Sequence, residues 1–104
     1  MKYKVRFTPY ARKQFLDAID YIRADRPVAA ASFKMQAENV LSRLENHSES
    51  GRFIPEFPEL GFREVIVPPY RFFYRLKDHI VWIVGAWHEA QLPDEPQLPD
   101  EPGE

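Results

Sequence analysis

The stretch that decides the fold runs from Tyr70 to His88 and reads YRFFYRLKDHIVWIVGAWH. Its first part alternates between two sets of side chains, Tyr70, Phe72, Tyr74 and Leu76 against Arg71, Phe73 and Arg75. This period of two is typical of a β-strand. The second part, Ile80 to Trp87, is apolar throughout, which favours a strand covered on both sides. Lys77 and Asp78 lie between the two parts and favour a tight turn, so the stretch predicts an antiparallel hairpin.

Two further strands are predicted upstream of this hairpin. Gly61 to Val67 is rich in β-branched residues and ends at a pair of prolines. Lys2 to Phe7 alternates basic and apolar residues, which predicts a half-buried strand in the same sheet. Asn46 to Leu60 contains one glycine and two prolines among polar residues, and it predicts a long loop.

Two amphipathic helices are predicted between the first strand and this loop. Thr8 can cap a helix through its hydroxyl, and Pro9 suits the first helical position. Apolar residues then recur at helical spacing to about Ala24. Pro27 predicts the start of a second helix, because proline is tolerated in a first turn. With so short a link the two helices are expected to form a helical hairpin.

The predicted fold class is therefore α+β, in the order β-α-α-β-β-β. We expect an antiparallel sheet with the N-terminal helical hairpin packed on one face. Residues 1–90 form the predicted domain. Residues 91–104 begin with the hexapeptide QLPDEP twice in tandem, and this acidic, proline-rich tail is predicted to be disordered.

Composition excludes several classes of function. The 104 residues contain no cysteine and no His cluster of ligand spacing, so neither a metal site nor a cofactor is expected. No signal peptide or membrane span is predicted, which favours the cytoplasm. The net charge is −2, but without residues 94–104 it is about +3, a modest excess for a domain that binds nucleic acid alone.

Several segments, in their order and spacing, resemble the RelE/ParE superfamily of bacterial toxins. They are the opening strand into Thr8-Pro9-Tyr10-Ala11, Tyr21-Ile22, Pro27, residues 58–65, residues 70–75, and the apolar strand that closes on His88. The resemblance covers about Val5 to Gln91. It implies a type II toxin–antitoxin system, in which a cognate antitoxin lays an extended or helical segment across the toxin.

The two branches of the superfamily imply different activities. Resemblance to the ParE branch implies a toxin that binds DNA gyrase and requires no catalytic residue. Resemblance to the RelE branch implies an endoribonuclease that cleaves mRNA on the ribosome, with Arg63, Arg71 and His88 as the catalytic candidates here. The modest charge and the acidic tail favour the ParE-like function over the RelE-like one. DNA gyrase is therefore preferred to the ribosome and mRNA as the expected target. A degenerate, non-toxic member is a third alternative.

The candidate residues also have structural interpretations. Tyr70 and Tyr74 share a face with Phe72, which favours packing over proton transfer. Arg63 suits an ion pair with Glu64 or Glu59. A strand-end histidine such as His88 is commonly hydrogen-bonded or solvated. Partner binding is predicted on the open sheet face, at Arg71, Phe73, Arg75 and Trp87, and the groove of the helical hairpin is a second candidate surface for the antitoxin.

Overall fold

The computed structural model describes residues 2–99 of the chain. Two helices and five strands follow one another in these residues: β1 (Lys4–Phe7), α1 (Pro9–Asp25), α2 (Pro27–Arg43), β2 (Arg52–Phe53), β3 (Arg63–Val67), β4 (Tyr70–Lys77) and β5 (Ile80–His88). A short 3₁₀ helix, Pro58–Leu60, lies between β2 and β3. The α+β fold predicted from the sequence is confirmed.

The strands form one sheet in the order β1-β5-β4-β3-β2. The pairs β5–β4, β4–β3 and β3–β2 are antiparallel. One pairing differs from the antiparallel sheet expected: β1 lies parallel to β5, with Val5 opposite Val81. The helical hairpin separates β1 from the other strands in the sequence, and so long a connection allows β1 to pair in parallel with the last strand. This pairing joins residues far apart in the chain, and no local sequence pattern predicts it.

The helical hairpin has the predicted ends. The Thr8 hydroxyl accepts a hydrogen bond from the Ala11 N–H at 3.2 Å, and Pro9 occupies the first turn of α1. Arg26 alone separates the helices: its N–H donates to Ile22 O, and its carbonyl accepts from the Ala30 N–H. With a single linking residue, α2 must fold back along α1.

The two faces of the sheet carry separate apolar clusters. The inner face packs against α1 and α2 through a cluster that includes Phe15, Phe33, Phe72 and Ile83. The outer face, opposite the helices, carries Ile54, Phe62, Phe73, Trp82 and Val84, all buried. The interior strand β5, which lies between β1 and β4, contributes to both clusters, as its apolar sequence predicted.

Two connections differ in detail from their predictions. The predicted loop at Asn46–Leu60 contains the short strand β2, and its Ile54 is fully buried on the outer face. The β4–β5 turn lies one residue later than predicted, because Lys77 pairs with Ile80 and Asp78 and His79 form the turn. Their φ angles are 54° and 62°, as a twist-matched two-residue hairpin requires.

Residues 91–99 follow β5 without regular secondary structure. Their prolines explain why they join no ladder. The predicted disorder of the tail stays a prediction, and residues 100–104 lie outside the described part of the chain.

Candidate functional site

Arg71 lies on the outer face of β4 and is held by two carboxylates. Its Nε donates to Glu64 Oε1 at 2.7 Å. Its Nη1 and Nη2 donate to the two oxygens of Glu56 at 2.9 and 2.7 Å, a bidentate pair. Arg52 adds a second cation to Glu64, whose side chain is fully buried. The network links β2, β3, β4 and the loop before β3.

The charges in this network shift two pKa values. The hydrogen bonds that Arg71 donates to Glu56, and then the one that it donates to Glu64, raise the pKa of Arg71 despite its burial. The hydrogen bond from Arg71 lowers the pKa of Glu56 below its ordinary value. Because two carboxylates neutralise the guanidinium and its side chain is only 8% exposed, Arg71 offers little charge to a phosphate group.

Arg63 serves the loop that precedes β2. Its Nη1 donates to the carbonyls of Gly51 at 2.8 Å and Glu49 at 3.2 Å. The guanidinium also lies 4.3 Å from the centre of the Phe53 ring. The side chain binds backbone carbonyls here, in place of the Glu64 or Glu59 carboxylate considered from the sequence. These contacts indicate that Arg63 positions the loop before β2.

Both tyrosines of β4 have packing roles. Tyr74 is fully buried; its hydroxyl donates to Ser48 O at 2.8 Å and accepts from the Gly51 N–H at 2.9 Å. Tyr70 packs against Phe33 with ring centres 5.3 Å apart. Burial raises the pKa of each hydroxyl, so both stay protonated near neutrality.

His88 ends β5 on the inner face, in a groove of about 620 Å³ beside α1. Its ring meets Tyr70 edge-on at 5.3 Å, and its Nδ1 accepts from the Ala90 N–H at 3.0 Å. Gln14 and Tyr21 line the helical side of the groove. The imidazole is thus hydrogen-bonded at the strand end, the commoner of the two roles considered from the sequence.

A β-bulge decides which face His88 occupies. Phe73 pairs with Gly85 while Tyr74 pairs with Ile83, so Val84 is an extra residue in β5. The extra residue reverses the alternation after it, and Trp87 therefore joins the outer face. Apart from the glycine at position 85, nothing in the sequence indicates this bulge.

The three catalytic candidates do not share a site. His88 lies opposite Tyr70 on the inner face, and Arg71 projects from the outer face. Arg63 pairs with Tyr74, four residues along β4 from Tyr70, which is about 13 Å at 3.3 Å per residue. A single phosphate therefore could not contact all three side chains, since Arg71 and His88 lie on opposite faces of the sheet.

The four predicted partner-binding residues do share the outer face, but they are unequally available. Arg71 and Phe73 are buried. Arg75 is exposed and lies over the Phe62 ring at 4.9 Å, and Trp87 is partly exposed. Arg75 and Trp87 are therefore the members of the set that another molecule can reach directly.

A second surface lies beside the helical hairpin, whose groove the sequence also suggested as a partner site, without naming its residues. Beside β1, apolar side chains from three elements line a groove of about 350 Å³, among them Val5, Phe7, Leu16 and Leu41. Leu16 is 52% exposed. Leu16 is not among the buried residues of α1, and only the fold brings it next to the edge of β1.

Two features are absent from the described residues. Residues 2–99 contain no group of three His, Asp or Glu side chains able to hold a metal ion. No helix in the same range has the length and apolar character needed to cross a membrane.

Comparison with known proteins identifies a family. Residues 5–93 match the family model described as the ParE toxin of the type II toxin–antitoxin system parDE. No curated protein matches the sequence.

Two solved structures show the same fold. One belongs to the chromosomal ParDE toxin–antitoxin system from P. aeruginosa, with a TM-score of 0.71 and 15% identity over 84% of this chain and 96% of that one. At this identity the likeness shows the fold alone. The other is the toxin–antitoxin complex RelBE2 from Mycobacterium tuberculosis, with a TM-score of 0.56 and 25% identity over 85% and 99% of the two chains.

Proposed function

We propose that this chain, which belongs to the ParE toxin family of type II toxin–antitoxin systems, inhibits a cellular target by binding it and is neutralised by a cognate antitoxin. By family resemblance the target is DNA gyrase, and the site of action is the cytoplasm. The match over residues 5–93 carries the assignment to toxin–antitoxin systems.

The geometry of the candidate catalytic residues favours binding over RNA cleavage. General acid–base cleavage requires a base, an acid and a cation around one phosphate. Here Arg71 is neutralised by Glu56 and Glu64, and His88 lies on the other face of the sheet. A toxin that acts by occupying its target needs no such convergence.

We place the antitoxin at the β1 edge. Among the described residues β1 pairs only with β5, so its outer backbone edge can accept an added strand. The groove beside this edge supplies apolar anchor sites at Leu16 and its neighbours. Lys4 and Arg6 are exposed on the strand and Lys2 is exposed just before it, which favours a partner segment with acidic residues between apolar ones.

The target contact is assigned to the exposed part of the outer face. Arg75 and Trp87 are its accessible members, while Arg71 and Phe73 support them from below. Arginine and tryptophan are also the residue types that contribute most to protein interfaces.

Activity can be tested with His88→Ala, a change outside both apolar clusters. We expect expression of the chain alone to inhibit growth, the purified chain to inhibit supercoiling by DNA gyrase, and His88→Ala to keep both effects while cellular mRNA stays intact. Cleavage of mRNA by the unmodified chain, abolished in His88→Ala, would show that the chain is a nuclease.

Antitoxin binding can be tested with Leu16→Asp, using the product of the neighbouring reading frame as partner. A charge at the groove should weaken the complex at least about tenfold, since it removes an apolar anchor. Met35→Asp is the matched control, because Met35 is a helical residue that is 63% exposed and does not line the groove. Equal affinities of the two variants would place the antitoxin elsewhere.

A further inference from the structure

The outer face of the sheet has an aromatic surface next to its buried cluster. The chain contains two tryptophans, and both Trp82 and Trp87 lie on this face. Phe73 is fully buried in the same cluster as Trp82 and the loop residue Ile54. Without a cover, these side chains would leave a continuous apolar patch in water, which is unusual for a monomeric domain.

The C-terminal segment supplies part of that cover. Leu98 packs against the outer-face cluster, and Pro93 is buried although it follows the last strand. Between these two anchors, Asp94 to Gln97 border a cavity of about 470 Å³ together with Phe73, Val84 and Trp87. Tyr10, at the start of α1, adds a third aromatic ring to the lining.

The two copies of the QLPDEP repeat make different contacts. Leu92 of the first copy is 86% exposed, whereas Leu98, its equivalent in the second copy, packs against the cluster. Pro93 is buried, whereas its equivalent Pro99 is exposed. Because the two hexapeptides are identical, it is their position in the fold that determines which leucine packs on the outer face and which proline is buried.

We propose that the outer face is a binding surface for extended, proline-containing segments, and that the chain's own residues 93–98 occupy it in cis. Proline-rich segments dock on aromatic surfaces with a small loss of conformational entropy, because their backbone is already restricted. Two apolar anchors and no ladder hold the segment, so it opens more readily than the strands below it. Another segment of the same chemistry gains access to the face when residues 93–98 detach.

The primary test compares Leu98→Asp with Leu92→Asp in the full-length chain. The readout is quenching of the tryptophan fluorescence by acrylamide, which reports on Trp82 and Trp87 directly. We expect the quenching constant to rise about twofold in Leu98→Asp, through local opening of the cover. Leu92→Asp places the same charge in the same hexapeptide and should leave quenching unchanged. Equal quenching of the two variants would overturn the proposal.

A second measurement uses the unmodified chain, so it does not require any variant to fold. In the NMR spectrum of the unmodified chain, the methyl groups of Leu98 should show Overhauser contacts to the side chains of the outer-face cluster, and those of Leu92 should show none. Absence of the Leu98 contacts would also overturn cis binding.

Binding in trans is tested by adding a synthetic peptide of residues 91–104 to the Leu98→Asp chain at millimolar concentration. That concentration replaces the effective concentration supplied by the covalent link. We expect the peptide to restore protection of the tryptophans, and a peptide with serine at both leucine positions to fail. If neither peptide protects, or both do equally, the outer face does not bind such segments. These readouts do not involve toxicity, so they succeed or fail independently of the proposed function.

Discussion

At Arg71, one guanidinium joins two carboxylates from different parts of the chain. Such a buried network adds little net stability over an apolar core, because burial removes every charge from water. Its effect is specificity: Glu56, Glu64 and Arg52 can satisfy their charges only when the loop, β2, β3 and β4 are in their native positions. The residue is therefore expected to be structural.

Removing Arg71 should be strongly destabilising. Arg71→Ala leaves the fully buried Glu64 with only Arg52, whose side chain is 66% exposed, so we expect a loss of about 3 kcal/mol in the free energy of unfolding. Arg75→Ala, on the same strand and face but exposed, should lose less than about 1 kcal/mol. Urea unfolding followed by tryptophan fluorescence checks both. Similar losses in the two variants would show that the Arg71 network contributes no more to stability than the exposed Arg75.

At the scale of elements, two backbone features set the geometry of the β4–β5 hairpin. The bulge at Val84 reverses the alternation of β5. It places Trp87 on the outer face and His88 on the inner face, whereas a regular strand would place each residue on the other face. The turn places Asp78 and His79 in the left-handed region, where residues other than glycine are strained. The turn thus has a residue other than glycine at its second position, although this turn geometry favours glycine there.

Replacing the turn by Asn-Gly should stabilise the protein. The double variant Asp78→Asn, His79→Gly relieves backbone strain and should raise the free energy of unfolding by about 0.5–1 kcal/mol. His79 also contacts the Tyr3 ring at 5.6 Å, so His79→Ala is the control that removes this contact without relieving strain. A melting temperature of the double variant at or below that of His79→Ala would contradict the expectation.

At the scale of the whole molecule, the sheet is covered twice, by helices on the inner face and by irregular segments on the outer face. The inner cover is made of two regular helices with a large apolar interface. The outer cover rests on Ile54, Phe57, Leu60 and Leu98, and on the ion pair between Glu56 and Arg71. Conditions that weaken ion pairs should therefore affect the outer cover first.

Acid should destabilise the protein in part through Glu56. Its pKa is lowered in the fold, so the unfolded chain takes up the proton first as the pH falls. The stabilisation is complete above the ordinary glutamate pKa of about 4.5 and is lost as the pH falls through the lowered folded value.

The test is the pH dependence of urea unfolding between pH 3 and pH 7, roughly the range in which carboxylates titrate. Glu56→Gln should lose about 1 kcal/mol at pH 7, since its side chain is a third exposed and screened, and should respond less to acid. Glu59→Gln, an exposed change in the same loop, is the control. An unchanged acid response in Glu56→Gln would rule out this contribution.

Much of the fold was predictable because local chemistry determined it. Thr8 and Pro9 set the start of α1, Pro27 set the start of α2, and the alternation after Tyr70 placed Phe72 and Tyr74 on one face of β4. The candidate site was less predictable. The sequence placed Arg71, Phe73 and Arg75 on one face, but it could not show that Glu56 and Glu64 neutralise Arg71.

By itself the sequence determined the fold class, the helical hairpin and the family, since capping, periodicity and segment order are properties of neighbouring residues. Only the tertiary structure decided the parallel placement of β1 and the bulge that places Trp87 on the outer face. It also decided that Leu98 packs on that face and not Leu92, the equivalent residue of the first hexapeptide. Each of these depends on contacts between residues far apart in the chain, whose free energy exists only once the sheet has formed.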